Sequence, residues 1–169
     1  MGTGFVYKRA MRILLFVLLL TSPSLMHAQS KAEIVKLPKL QEILNSKSDK
    51  IKVINFWATW CAPCVKEMPF FEELHKSRED VEVILVSMDL DLDPDPTKVY
   101  RFIERKKLQS RVLILDEKDP NSFINKIDKH WSGALPVTII VNGKTGQRKF
   151  VEKALHEGDL EKLIEKINE

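Results

Sequence analysis

The sequence predicts an α/β domain: a mixed β-sheet with helices on both faces. Three observations predict it. Lys52–Ala58 and Val81–Ser87 are almost continuously apolar, as central parallel strands covered on both faces are. Amphipathic helical patterns follow each of them, at Cys61–Arg78 and Thr97–Lys107. Two late apolar runs, Val137–Val141 and Lys149–Val151, flank Asn142-Gly143-Lys144-Thr145-Gly146, which carries the chemistry of a hairpin turn. Strand–helix alternation makes parallel crossovers, and the hairpin adds antiparallel strands to the same sheet.

The chain has 169 residues, enough for one domain. Its start is a separate region. Lys8, Arg9 and Arg12 precede the unbroken apolar run Ile13–Leu20, then Thr21-Ser22-Pro23-Ser24 and the small residue Ala28. Basic, apolar, then polar with a small residue is the order of a secretory signal. The expected division is a signal at residues 1–29 and a folded domain at 30–169. Met26 fits a small-x-small cut poorly, so the cut site is left open. The apolar run is short for a full bilayer span, and retained as an anchor it would still place the domain outside the cytosol. No Cys follows it, which argues against a lipoprotein anchor.

Removing residues 1–29 changes the charge. That segment holds three of the 27 Lys and Arg and none of the 24 Asp and Glu, so the remainder is balanced at 24 against 24. The basic balance belongs to the signal, and the domain lacks the electrostatic footprint of a nucleic-acid binder. The cluster Arg101, Arg105, Lys106, Lys107 fits a solvated helix face. No signal specifies an oligomeric state.

Taken in order, Ile34-Val35-Lys36-Leu37 is a short apolar alternation, and Lys39–Leu44 after Pro38 is a short helical pattern. Asn45–Lys50 is a polar connection to the first confident strand. In the helix from Cys61, Phe70, Phe71 and Leu74 form the inward stripe, and Pro69 predicts a kink because it has no N–H for the Val65 carbonyl. Asp89–Pro96 is a loop, with Asp95 or Thr97 capping the next helix. Asp89, Asp91, Asp93 and Asp95 alternate like calcium-loop ligands. However, Pro94 stands at the sixth position and Tyr100 at the twelfth, where such a loop needs Gly and Glu. Val112–Leu115 is a third strand, and Asn121–Lys129 a short helical piece. Glu157–Ile167 is a final helix, with Leu160, Leu163, Ile164 and Ile167 on one face.

Two cysteines, Cys61 and Cys64, are the only ones in the chain, and they sit where the first strand turns into a helix. A bridge between them closes too small a loop to restrain the unfolded chain much, so reactivity explains them better than stapling. The first sulfur lies at a helix N-terminus, where unpaired N–H groups and the macrodipole favour a thiolate. The thiolate is the form that attacks disulfides. Cys64, one turn on, is placed to resolve the product and should be the more buried of the two. Pro63 is tolerated in the first turn, where the N–H has no helical partner. Glu67 lies three residues beyond Cys64 on the same helix face.

These residues resemble the thioredoxin fold and, within it, the TlpA/ResA-like exported thiol–disulfide oxidoreductases. The resemblance covers most of residues 31–169 and rests on Asn55-Phe56-Trp57-Ala58, Trp60-Cys61-Ala62-Pro63-Cys64, Glu67 with Pro69, and Gly133-Ala134-Leu135-Pro136-Val137-Thr138. Thioredoxin itself carries a buried Asp where Asn55 stands. In the TlpA/ResA-like group a Glu in the place of Glu67 takes that task. The resemblance therefore implies Cys61 as attacking thiol, Cys64 as resolving thiol, Glu67 as proton acceptor and a cis Pro136 facing the dithiol. Trp60, Leu135 and Pro136 would contact substrate, the Leu135 backbone pairing with it as an added strand. No cofactor and no metal is implied. The implied partners are disulfide-containing exported proteins, apocytochromes among them, and a membrane thiol electron donor. Ala62-Pro63 holds no His to stabilise a Cys61 thiolate, which points to a reductant. The long N-terminal hairpin of some relatives is missing. A different function class, a metal-binding or metal-delivery module, would use Cys61 and Cys64 with His130 as third ligand. Trp131 and His130 precede the proline loop and fit a packed Trp and a surface His better than a groove lining.

Overall fold

The computed structural model describes residues 32–167, so the expected signal at 1–29 lies outside the described residues. The chain runs β1 (Glu33–Val35), α1 (Leu37–Asn45), β2 (Ile51–Trp57), α2 (Ala62–Ser77), β3 (Val81–Ser87), a 3-10 turn (Asp89–Asp91) and α3 (Thr97–Lys106). It continues with β4 (Arg111–Leu115), α4 (Pro120–Ile127), β5 (Val137–Asn142), β6 (Arg148–Val151) and α5 (Asp159–Glu165). The six strands form one sheet in the order β1-β4-β3-β2-β5-β6. β1, β4, β3 and β2 run parallel to one another. β5 and β6 are antiparallel. This is the predicted mixed sheet.

β2 is the centre of the sheet, and all seven of its residues are buried. Strand side chains alternate between faces, and the cores divide accordingly. Val53 and Trp57 pack with Met68, Phe71 and Leu74 of α2, Phe102 of α3 and Leu160 and Ile164 of α5. Ile54 and Phe56 point the other way, toward Leu40 and Leu44 of α1 and Phe123 and Ile127 of α4. Trp57 and Phe102 are in ring contact at 4.9 Å between centroids. Phe71 has no exposed surface, so Phe71→Ala would cost about 3–5 kcal/mol through lost burial and the cavity left behind.

Four local outcomes refine what the sequence predicts. Ile34 belongs to an edge strand, since Glu33–Val35 pairs in parallel with Leu113–Leu115. The next helix starts at Leu37, with Pro38 inside its first turn. The last helix starts at Asp159 rather than Glu157, because Gly158 adopts a left-handed conformation (φ 78°) that interrupts the helix; Asp159 accepts the His156 N–H at 3.0 Å. α2 continues through Pro69 to Ser77.

The hairpin turn is where predicted, and Gly143 has a packing reason of its own. A Cβ there would collide with the Ser48 side chain and the Lys50 carbonyl. Without one, Gly143 donates to Lys50 O and accepts from Ser48 N, each at 3.1 Å, extending the β2–β5 pairing past the strands.

Candidate active site

The C-terminal ends of β2 and β3 and the N-terminal end of β5 meet at one edge of the sheet. Phe56 is in register with Val137. Pro136, one step before Val137, therefore lies level with Trp57, from which the chain turns toward the cysteines.

That turn is tight. Cys61 N donates to Ala58 O at 3.1 Å, leaving Thr59 and Trp60 at the corners. Cys61 is the N-cap of α2, and its Sγ accepts the Cys64 N–H at 3.3 Å. Here the cap atom is the Cys61 sulfur, so an orphan helix N–H and the macrodipole both act on it. Cys61 and Cys64 are joined as a disulfide. Cys61 retains 5% of its surface and Cys64 none, the predicted order of access. Trp60 is 55% exposed beside them. A surface groove lined by Thr59, Trp60, Leu92 and Lys98 opens next to the turn, with Leu92 also exposed.

Glu67 is the one buried carboxyl of α2, with 1% of its surface exposed. Its Oε1 accepts from Asn55 Nδ2 at 2.9 Å, and its Oε2 from the Leu155 N–H at 2.6 Å. Asn55 also donates to Thr138 Oγ1 at 3.2 Å and Val137 O at 3.4 Å, tying β2 to β5 beneath the proline loop. Burial pushes the Glu67 carboxyl above its ordinary value. The Leu155 N–H, the Asn55 amide and the nearby His156 pull it back without cancelling the shift. Glu67 is thus not the exposed first-turn acid that would merely complement a helix dipole.

Leu135–Pro136 is cis, as the family resemblance implied. Leu135 is half-buried against both cores and Pro136 is buried. The preceding loop is held from both sides. Trp131 is buried in contact with Phe56, with 4.8 Å between ring centroids, and its Nε1 donates to Ala134 O at 2.8 Å. From outside, Glu152 accepts from Ser132 N at 3.1 Å, from the Ser132 hydroxyl and from Ala134 N at 3.2 Å. Trp131 therefore props the loop rather than lining a groove. His130 is exposed and contacts Asp128 at 3.0 Å.

A family model described as redoxin matches residues 30–155, three quarters of the chain. The chain belongs to the redoxin family. Among its curated relatives, the thiol-disulfide oxidoreductase ResA of Geobacillus thermodenitrificans is 28% identical over 116 residues, 68% of this chain and 61% of that one. The ResA of Bacillus cereus is 34% identical over 110 residues, 65% of this chain and 57% of that one. This redoxin chain thus spans about three fifths of the length of these relatives. Among solved structures, a thioredoxin-related protein from Neisseria meningitidis superposes with a TM-score of 0.62. It is 22% identical, and the match covers 73% of this chain and 88% of that one. A DsbF homologue from Corynebacterium diphtheriae gives 0.59 at 20% identity, covering 74% and 75%. These likenesses establish a thioredoxin-like fold.

Within this redoxin domain the structure gathers Trp60, Cys61, Cys64, Glu67, Leu135 and Pro136 at one end of the sheet. It also adds two carboxylates that the sequence reading passed over. Glu152 organises the proline loop, and nothing in its local sequence marks it. Asp89 stands in the sequence as one member of an alternating acidic run. Asp93 accepts the Asp95 N–H at 3.1 Å and Asp95 the Thr97 N–H at 2.9 Å as local turns, and the N-cap of α3 is Pro96, without a side-chain capping bond, rather than the expected Asp95 or Thr97. Asp89 instead turns inward. It is buried and takes hydrogen bonds from Thr59 and Ser87.

Proposed function

We propose that this protein is an exported thiol–disulfide oxidoreductase that reduces disulfides in exported proteins. The observation that carries the reading is the Cys61–Cys64 disulfide at the N-cap of α2, with a buried carboxyl, Glu67, one turn further along the same helix.

In the reduced protein the Cys61 thiolate attacks a substrate disulfide. A Cys61–substrate S–S bond forms, the substrate S–S bond breaks, and the departing substrate sulfur takes up a proton. Cys64 then loses its proton to the Glu67 carboxylate and attacks the Cys61 sulfur. The mixed disulfide breaks, the Cys61–Cys64 disulfide forms, and the second substrate sulfur leaves as a thiol. Two electrons pass to the substrate. A carboxyl with a raised pKa suits this step, because it takes a proton more readily than an ordinary glutamate would. Trp60 and Leu135 contact the substrate, and the Leu135 backbone pairs with it beside Pro136.

The basic–apolar–polar order of residues 1–29 supports export, and export supplies disulfide-bearing substrates. The absence of His between the cysteines supports the reducing direction. The disulfide state of the dithiol must then be returned to thiols by a membrane thiol donor. The TlpA/ResA-like resemblance supports apocytochromes among the substrates.

The test is a trap. Cys64→Ala, incubated with oxidised insulin or an exported-protein extract, should accumulate mixed disulfides on Cys61 that a reductant releases, while the wild type reduces insulin catalytically. Cys61 in the reduced wild type should also be alkylated at least about tenfold faster than Cys64, as a helix-capping thiolate should. A wild type without insulin reductase activity, together with a Cys64→Ala protein that captures nothing, would refute the reading.

A further inference from the structure

We propose that Asp89 is a positioning residue for the dithiol, holding the turn that presents Cys61. The inference rests on the oxidoreductase reading of Cys61 and Cys64 and extends it to a residue outside the motif.

The argument begins with the turn. Ala58–Cys61 closes with one backbone hydrogen bond, from Cys61 N to Ala58 O at 3.1 Å. The Thr59 N–H lies outside both β2 and α2, so neither ladder nor helix satisfies it. Thr59 is half-buried, and its N–H needs a partner from a side chain or water. Asp89 takes it: Thr59 N is 3.0 Å from Oδ2 and 3.2 Å from Oδ1. The Thr59 hydroxyl donates to the same carboxylate. Ser87, the last residue of β3, donates its hydroxyl to Oδ2 at 2.8 Å, and the Asp89 N–H donates back to Ser87 Oγ at 3.3 Å. Beside this cluster, Met88 N donates to Trp57 O at 2.8 Å. The end of β3 is thus fastened both to the end of β2 and to the first corner of the turn.

Hydrogen bonds to an ionised acceptor are the strong ones, and Asp89 is only 5% exposed, so water competes little. Its partners are Thr59 and Ser87, not the sulfurs. It acts on Cys61 through the turn, by fixing where the Cys61 sulfur stands relative to the Cys64 N–H and thiol. Two groups held in reacting geometry close a ring far more readily than two held loosely. The quantity Asp89 controls is therefore the ring-closure equilibrium of the dithiol.

That equilibrium is the readout. Wild type, Asp89→Ala, Asp89→Asn and Thr59→Val would be equilibrated in glutathione buffers of graded redox ratio. The Cys61–Cys64 disulfide is then counted by alkylation and intact mass. Asp89→Ala should lower the closure constant about tenfold, on the scale that small losses of orientation produce. Asp89→Asn keeps an acceptor for the Thr59 N–H and should lie within about threefold of wild type. Thr59→Val removes only the hydroxyl bond and should fall about two- to threefold. A residue that merely stabilises the fold would lower the urea midpoint and leave closure in the folded protein unchanged. If Asp89→Ala does not fold, Thr59→Val decides the matter. Closure constants equal to wild type in the folded variants would overturn the proposal. The two readings fail separately. Insulin reduction by wild type with unmoved constants defeats Asp89 alone. Lowered constants in a protein that reduces no protein disulfide defeat the oxidoreductase reading alone.

Discussion

β2 carries a buried polar group on each face, and the two make a controlled comparison. Lys52 lies 2% exposed on the α1 side. Its ammonium donates to Ile43 O at 2.8 Å, to Ser46 Oγ at 2.6 Å and to Ser46 O, so all three protons are used on the end of α1. Asn55 lies on the α2 side and bonds Glu67, which accepts one N–H on each oxygen. A carboxylate offers about four lone-pair sites, so half of its capacity is open. Burial acts on both groups toward neutrality. It lowers Lys52, with Glu82 opposing, and raises Glu67. The difference lies in the hydrogen bonds. Only the ammonium form can fill three acceptors, so Lys52 is committed to its charge by the fold. Glu67 has room for a proton. The closed shell holds Lys52 as an ion, and the open one leaves Glu67 able to take up a proton.

The largest effect should come from closing the open shell. Glu67→Gln removes the proposed proton acceptor while keeping volume. Resolution of a Cys61 mixed disulfide should slow about a hundredfold, the scale on which a positioned acid or base acts. Single-turnover release of a labelled peptide at pH 7 measures it. A change of less than about threefold would reduce Glu67 to a structural group like Lys52. The matching substitution on the other face is Lys52→Met. It leaves the buried Ile43 carbonyl without its donor and should lower stability by about 2 kcal/mol in urea unfolding, with peptide release unchanged. If release slows instead, the division between the two faces fails.

A subtler contrast is the pH dependence of stability. A carboxyl raised in the folded state binds its proton more tightly there than in the unfolded chain. Its stabilising contribution is present below the ordinary glutamate value of 4.5 and is lost as pH climbs through the raised folded value. Glu67→Gln has no such loss. Its stability relative to wild type should therefore improve as pH rises above 4.5 and level off once the raised folded value is passed. Urea midpoints at several pH values test this, and a pH-independent difference would show that burial does not govern Glu67.

The comparison also shows what a linear sequence reveals. The dithiol was legible because its geometry is local: a strand, a tight turn and a helix within twenty residues place both sulfurs and Glu67. Lys52 was not, since a single Lys in an apolar run looks the same whether it reaches solvent or caps a helix. Its shell comes from the end of α1, whose position depends on the whole sheet. β1 escaped for the same reason, as three residues have little pattern of their own and their ladder partners begin at Leu113. Asp89 differs from its acidic neighbours only in following directly on a buried strand that ends level with β2. That cue has meaning only once Trp57 and Ser87 are known to be in register.

The smallest predicted effect concerns Asn55, which connects the open shell to the sheet. Its Nδ2 donates to the Glu67 carboxylate, and its Oδ1 is buried without a hydrogen-bond partner among the described residues. The donor favours the ionised form of Glu67. With Glu67 as the proposed acceptor of the Cys64 proton, only its ionised form is competent, so release should rise with pH through the Glu67 midpoint. Asn55→Ala deletes the donor that pulls Glu67 down, and the midpoint should move to higher pH. Above the new midpoint Glu67 is ionised again, and release should return to within about threefold of wild type. A large loss at every pH would mean that Asn55 acts by packing β2 against β5, while a midpoint moved downward would reverse the assigned direction of the Asn55–Glu67 bond.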